Sequence, residues 1–200
     1  MNTAVGLRER KKAATRTALG AAAMHLAVEV GVEHVTAEAI AVAANVSTRT
    51  FHNYFASKEE AILSAFREQF RSLTDQIRTM PADVPIWDVL EGIAVSMMSG
   101  APADVGERLA QVKVIESPAL VAFQLGLFDE LERMSAEAIA ERTGTDVATD
   151  LYPHLLAAAG AAAMKASMTL WERQQTGSGP AALIAAAFAQ IRAGIPAPTE

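Results

Sequence analysis

Helical periodicity is the feature that most constrains what this 200-residue chain can fold into. Apolar side chains recur every three to four residues along almost its whole length, and the strict alternation of a half-buried strand is absent. In one such stretch the apolar positions are Ile62, Phe66, Phe70, Leu73 and Ile77. Hydrophobic residues make up 51% of the chain, which is enough to build a sizeable core. The pattern therefore predicts an all-α protein of about nine helices.

Several classes of site are excluded by what the sequence lacks. Without cysteine there is no disulfide, thiolate metal site or cysteine nucleophile. The four histidines (His25, His34, His52 and His154) have no metal-ligand spacing, and no HExxH, GxSxG, P-loop or Rossmann glycine pattern occurs. No apolar run is long enough to cross a bilayer, and no signal peptide is visible. We therefore expect a cytoplasmic protein with no metal, no cofactor and no membrane partner, and an enzyme is the main alternative class.

The charges are distributed unevenly along the chain. The net charge is −6, yet residues 1–20 carry five basic side chains against one acidic side chain, and residues 61–200 carry a net charge of −7. A basic tip on an acidic body is typical of a DNA-binding head with a separate body, although a solvated polar tail explains the basic run equally well.

Two short helices joined by a tight turn are predicted between Thr36 and Lys58, with the length and rhythm of a helix-turn-helix. Asn45 stands where the turn needs a left-handed residue, and Ser47 is positioned to cap the second helix. That second helix is unusually polar, with Ser47, Thr48, Arg49, Thr50, His52 and Asn53. Since so polar a helix gains little from packing, its side chains suit the donors and acceptors of a DNA major groove.

The residues from Val35 to Glu59 resemble the signature of tetracycline-repressor (TetR) type transcriptional regulators, and Ala22 to Val32 resemble that family's first helix. The resemblance covers roughly residues 8–66 and implies a helix-turn-helix DNA-binding domain at residues 1–56. It also implies a larger helical effector-binding and dimerisation domain at residues 57–200 and a homodimer. Two positions depart from the family pattern: Asn45 replaces the usual glycine, and Ala27 stands where a bulky aromatic residue is common.

The resemblance implies DNA contacts by Thr36, Ser47, Thr48, Arg49, Thr50, His52, Asn53, Tyr54 and Lys58. Arg49 can bond a guanine edge twice, Thr50 can meet a thymine methyl group, and Asn53 suits adenine or phosphate. His52 stands where the family usually has tyrosine, and imidazole can still donate to a base or a phosphate. Thr36, Ser47, Tyr54 and Lys58 are placed to contact phosphates. We expect Phe51 and Phe55 to pack in the core and Ser57 to serve as a helix cap.

The body offers a weaker pattern. An apolar effector pocket could be lined by Trp87, Met97, Phe123, Phe128, His154, Met164, Met168 and Trp171, although an ordinary core explains each of them as well. The small residues around Gly160, with the last helix, suit a close dimer seam, where the resemblance places the family's four-helix interface. We expect a repressor that a small, largely apolar effector releases from a palindromic double-stranded operator. The alternative is a helical protein-interaction module or a ligand-binding protein without sequence-specific DNA binding.

Overall fold

The computed structural model describes residues 6–174 and 179–195, and every regular element within them is helical, which confirms the predicted all-α fold. The α-helices in these ranges are α1 Leu7–Val30, α2 Ala37–Ala43, α3 Thr48–His52, α4 Lys58–Thr79, α5 Ile86–Met97, α6 Pro102–Ile115, α7 Val121–Thr143, α8 Leu151–Gln174 and α9 Pro180–Arg192. Single 3₁₀ turns lie at Val32–His34 and Pro118–Leu120. Among the described helices, none combines the length and the apolar character needed to cross a membrane. The sequence Gly177-Ser178-Gly179-Pro180 predicts a turn before α9, and Gly177 and Ser178 lie outside the described residues.

The chain forms two compact units. The first unit contains the described residues up to Phe70 together with Leu109–Leu127, and the second contains Arg71–Arg108 and the described residues from Phe128 onward. Three helices (α4, α6 and α7) contribute residues to both units.

The core of the first unit forms where α1 approaches the start of α4. The buried residues of α1 are Leu19, Gly20, Ala23, Met24 and Ala27, and Ala61, Ile62 and Leu63 of α4 are also buried. Gly20 lies at this approach, and a Cβ atom there would lie 2.6 Å from Ser64 Oγ. A side chain at this position therefore needs a neighbour to move.

The ends of the short helices follow the local chemistry of their capping residues. The Ala39 N–H donates to Thr36 Oγ1 at 3.1 Å, and the Thr50 N–H donates to Ser47 Oγ at 3.1 Å. At the start of α4 the Glu60 N–H donates to Ser57 Oγ, while the Glu60 carboxylate accepts from the Ala56 N–H. These bonds confirm the predicted caps at Ser47 and Ser57. The left-handed turn is also confirmed, since Asn45 has a φ of 54°.

In the second unit α8 packs on α9, and α5 packs on both. The Trp87 ring lies 4.9 Å from the Phe188 ring, and its indole N–H donates to the Phe188 carbonyl at 3.3 Å. The nearest atom to a Cβ built at Gly160 is Cζ of the same Phe188, at 3.9 Å. This glycine therefore faces α9 of its own chain, and the dimer seam predicted around it together with the last helix stays a prediction.

The end of α4 is held by a single guanidinium group. Arg142 Nη1 donates to the carbonyls of Ile77 and Met80, and Nη2 donates to those of Pro81 and Val84, over distances of 2.6–3.2 Å. Next to it on α7, Glu141 accepts hydrogen bonds from Arg78. The Pro81 carbonyl also accepts from the Val84 N–H. Because helix C-termini leave carbonyls without intrahelical partners, the arginine supplies donors to the other three carbonyls.

Candidate nucleic-acid interface

The helix predicted to read DNA, α3, is anchored by aromatic side chains. Phe51 is fully buried and its ring centre lies 5.8 Å from that of Phe55, which is also buried. The His52 and Phe51 rings are nearly perpendicular, with ring centres 5.2 Å apart. The expectation that both phenylalanines are core residues is confirmed. They fix the orientation of a five-residue helix that could not hold its shape alone.

The polar side chains of α3 and its flanks remain accessible. Arg49, His52 and Asn53 are exposed, and Thr48, Thr50 and Tyr54 are half-buried. Thr50 Oγ1 lies 2.8 Å from the capping oxygen Ser47 Oγ, so these two hydroxyls already share a hydrogen bond. Arg49 offers five N–H donors in a planar fork and can meet the two acceptors of a guanine edge.

The hydroxyl group of Thr36 caps a helix and can also donate a hydrogen bond. Thr36 is exposed, and its Oγ1 accepts from the Ala39 N–H through a lone pair. A hydroxyl that accepts in this way still carries a hydrogen that can be donated. Thr36 therefore caps α2 and can at the same time donate to a phosphate oxygen.

Lys58 has a different position from the one its sequence context suggested. Its ammonium group donates to three backbone carbonyls, those of Val32 at 2.8 Å, Val35 at 2.9 Å and Glu33 at 3.2 Å. An ammonium group has three N–H donors, and all three are used here. We therefore correct the predicted phosphate contact by this side chain: Lys58 ties the 3₁₀ turn after α1 to the start of α4.

Arg16 forms a second tie that the sequence did not reveal. Its guanidinium lies 4.3 Å from the centre of the Phe55 ring, and it donates to the Tyr54 carbonyl at 2.7 Å and to Glu60 Oε1 at 3.2 Å. Because Tyr54 and Glu60 lie 38 and 44 residues further along the chain, no local pattern could indicate these contacts. Arg16 positions the segment that follows α3.

The residues predicted to bind an effector have varied surroundings. Trp87 is held by Phe188 as described, and His154 Nε2 lies 2.8 Å from the Val147 carbonyl. Four more are half-buried: Met97, Met164, Met168 and Trp171. Apolar residues on two faces of α7 predict that this helix is buried on both. Phe123 and Phe128 are 42% and 50% exposed, so that prediction is wrong for its first two turns. Within the described ranges, no group of histidine, aspartate and glutamate side chains is arranged to hold a metal ion.

Two family models match the chain. Residues 19–65 match the model described as bacterial regulatory proteins, tetR family. Residues 84–196, more than half of the chain, match the model described as MftR C-terminal domain. The first match contains the whole helix-turn-helix, and the second contains most of the body.

Similar proteins include a curated relative and solved structures. The chain is 31% identical over 160 residues to the HTH-type transcriptional regulator TcmR of Streptomyces glaucescens, covering 76% of this chain and 71% of that protein. A tetR-family regulator from Streptomyces coelicolor superposes with a TM-score of 0.63 at 18% identity, covering 94% of this chain and 81% of that one. Thermus thermophilus FadR, a repressor solved with lauroyl-CoA, superposes with a TM-score of 0.60 at 22% identity, covering 92% and 97%.

Proposed function

The chain belongs to the TetR family of bacterial transcriptional regulators, and on this premise we propose that it is a repressor whose dimer binds a palindromic operator. A small, largely apolar effector that binds the body releases the dimer from that operator. The observation that carries the proposal is α3, a short helix in which Arg49 and His52 are exposed around a fully buried Phe51, with exposed Asn53 directly after it. Regulators of this family are generally DNA-binding proteins without enzymatic activity.

We assign recognition of the DNA base sequence to Arg49, with His52 and Asn53 beside it. Arg49 is the cation of α3 and can bond the O6 and N7 atoms of guanine together. Thr36, Ser47 and Tyr54 contact phosphates and hold α3 in register, and Thr48 and Thr50 lie within the same short element. One helix of this length reads few bases, so two copies must act together about 34–36 Å apart, one turn of DNA.

The dimer is proposed to form through the outer face of α8. An exposed stripe runs along this helix at intervals of three and four residues, through Leu151, Leu155, Ala158, Ala162, Ala166 and Leu170. Leu151 and Leu155 are 69% and 56% exposed, which is unusual for leucines in a repeating row. Gly160 lies on the opposite side of the helix, so this stripe replaces the glycine as the proposed seam.

Two neighbouring alanines test this seam. Ala161 and Ala162 are both exposed, but they point about 100° apart, and only Ala162 belongs to the stripe. We expect Ala162→Glu to give a monomer in sedimentation at micromolar concentration and Ala161→Glu to stay dimeric. A monomeric wild type, or an equal effect of both substitutions, would contradict the proposed interface.

The operator is tested by selecting duplexes from a random pool and measuring binding by fluorescence anisotropy. We expect Arg49→Ala to weaken binding to the selected duplex by roughly 5- to 150-fold and to change binding to a scrambled duplex little. Arg133→Ala is the matched control, since it removes the same charge from an exposed site on α7. Equal losses on both duplexes would mean that Arg49 contacts only phosphate. A wild type without preference between the duplexes would favour the protein-interaction module.

An apolar effector is supported by the character of the proposed residues, which are aromatic or methionine except for His154. The structural relative FadR was solved with lauroyl-CoA, whose acyl chain is apolar. Lauroyl-CoA is therefore a suitable probe, with free CoA as the matched control that lacks the chain. We expect the acylated form alone to raise the melting temperature and to release the selected duplex. An effect of free CoA equal to that of lauroyl-CoA would contradict recognition of the apolar part.

A further inference from the structure

Arg16 of α1 reaches the segment that joins α3 to α4. Its Nη1 atom donates to the Tyr54 carbonyl at 2.7 Å, and its Nη2 atom donates to Glu60 Oε1 at 3.2 Å. The guanidinium carbon lies 4.3 Å from the centre of the Phe55 ring. We call residues 53–57 the corner segment. Three contacts therefore join one side chain of α1 to this segment and to the first turn of α4.

The corner segment is itself bonded to α3. The Phe51 carbonyl accepts from the Tyr54 N–H at 2.9 Å and from the Phe55 N–H at 3.0 Å. The rings of Phe55 and Phe51 are both buried, and their centres lie 5.8 Å apart. The Asn53 N–H donates to the Arg49 carbonyl at 3.2 Å. Because of these bonds, a displacement of the corner segment moves α3 with it.

Glu60 connects Arg16 to the start of α4. Its Oε1 atom accepts from Arg16, while Oε2 accepts from the Ala56 N–H at 2.9 Å. The Glu60 N–H donates to Ser57 Oγ at 3.2 Å, which completes the capping box. One guanidinium group therefore fixes α1, the corner segment and the start of α4 relative to one another.

The geometry of this contact matters more than its contribution to stability. The side chains of Arg16 and Glu60 are 46% and 37% exposed, and ion pairs at such exposed sites contribute little to the free energy of unfolding. A guanidinium group, however, directs its N–H donors in a fixed planar fork and stacks on an aromatic ring, which an ammonium group does not reproduce. The contact is therefore suited to setting a direction.

We propose that Arg16 is a positioning residue for base recognition, which touches no DNA itself and holds the corner segment so that α3 presents Arg49 to the base edges. This inference rests on the proposed function and extends it. Recognition of a base edge requires the side chain to be placed within about 0.5 Å, whereas flexible cations can follow a displaced phosphate. Loss of the Arg16 contacts therefore weakens binding to the selected duplex and leaves binding to a scrambled duplex nearly unchanged.

The substitution that keeps the charge gives the sharpest test. R16K retains a cation but loses the fork, and we expect it to weaken binding to the selected duplex by about 10-fold. Binding to the scrambled duplex should change by less than about twofold. R133K is the matched control, since it removes a fork from an exposed ion pair with Glu137 on α7, and it should leave both affinities unchanged. R16Q should change the slope of log K against log salt by much less than one unit per half-site.

Two further measurements separate positioning from other roles. On duplexes with one base pair changed, R16K should keep the wild-type ranking of bases at every position, whereas R49A should lose the preference at the position that Arg49 reads. E60Q removes the charge of the partner, and its effect on binding to the selected duplex should not add to that of R16K, because both act on one contact. Circular dichroism and stoichiometric titration give the folded, active fraction of each variant, so that affinities are compared per active protein.

Four results would overturn the inference. Wild-type affinity of R16K would mean that the charge alone suffices, and a slope lowered by about one unit per half-site in R16Q would mean that Arg16 contacts a phosphate. Equal losses on both duplexes would mean that the contact only maintains the fold, and additive effects of R16K and E60Q would mean that the two residues act separately. The proposed function is tested separately, because it fails only if the wild type does not distinguish the two duplexes.

Discussion

The close approach of α1 and α4 at Gly20 allows a quantitative test of the packing that positions the helix-turn-helix. Replacing Gly20 by alanine puts a Cβ atom 2.6 Å from Ser64 Oγ and 3.4 Å from the Ala61 carbonyl oxygen. Ser64 can turn away, but its hydroxyl donates to that carbonyl at 2.7 Å and would lose the bond. The double substitution Gly20→Ala and Ser64→Ala removes the clash together with the hydroxyl.

The magnitudes follow from two opposing effects. Alanine is favoured over glycine in a helix interior by about 0.8–1.0 kcal/mol. Overpacking costs about 1–3 kcal/mol, part of it the hydrogen bond of the displaced hydroxyl. We expect Gly20→Ala alone to lower the free energy of unfolding by about 1 kcal/mol. In the Ser64→Ala background the same change should raise it by about 0.5–1 kcal/mol, a coupling of about 1.5–2 kcal/mol.

Urea unfolding followed by circular dichroism measures the four variants of this cycle. Tryptophan fluorescence follows the second unit separately, because Trp87 and Trp171 both belong to it. Hydrogen exchange of peptides covering residues 19–27 and 58–65 locates the effect. If Gly20→Ala stabilises the protein equally with and without Ser64, the two helices do not approach as closely as described and the reasoning fails.

Three further predictions concern other contacts. Arg142→Met should lower the free energy of unfolding by about 2–4 kcal/mol, because the carbonyls of Ile77, Met80 and Val84 lose a side-chain donor, while that of Pro81 keeps its bond from the Val84 N–H. Arg133→Met on the same helix should change the free energy of unfolding by less than about 0.5 kcal/mol, and urea midpoints compare the two variants. The hydrogen bond from Arg78 lowers the pKa of Glu141, so this pair stabilises the fold at neutral pH and the stabilisation is lost as the pH falls through that lowered pKa. Glu141→Gln should therefore flatten the acid side of a profile of melting temperature against pH. An unchanged profile would contradict the assignment. Asn45→Ala should lower the free energy of unfolding by about 1 kcal/mol because residue 45 has a positive φ, while Asn45→Gly should stay close to the wild type. Similar melting temperatures for the two variants would count against backbone strain at this turn.

The features that the sequence predicted best depend on neighbours within a few residues. A serine or threonine that caps a helix bonds an N–H three residues later, so Thr36, Ser47 and Ser57 could be recognised from local spacing. Asn45 was predictable because so few residue types adopt a positive φ. The all-α class followed from a repeat that fits one kind of element along most of the chain.

The features that could not be predicted depend on partners far along the chain. Lys58 bonds carbonyls 23–26 residues earlier, and Trp87 bonds one that is 101 residues later. Charge and residue type suggested a phosphate contact for Lys58, but only the tertiary fold brings the carbonyls of Val32, Glu33 and Val35 to its ammonium group. Gly160 was assigned to a seam from its small size, which does not indicate whether the helix it faces belongs to the same chain.

In α3 different residues pack in the core and face the solvent, and this has a consequence for how the DNA target of such a protein can change during evolution. Phe51 carries the packing of this helix, while Arg49 and Asn53 are exposed and contribute little to the core. After a gene duplication, the exposed positions can therefore mutate without compensating changes elsewhere, and a copy can acquire a new target sequence while it keeps its thermal stability. Substitutions at Phe51 have no such freedom, so lineages of this chain should vary around that residue and retain it.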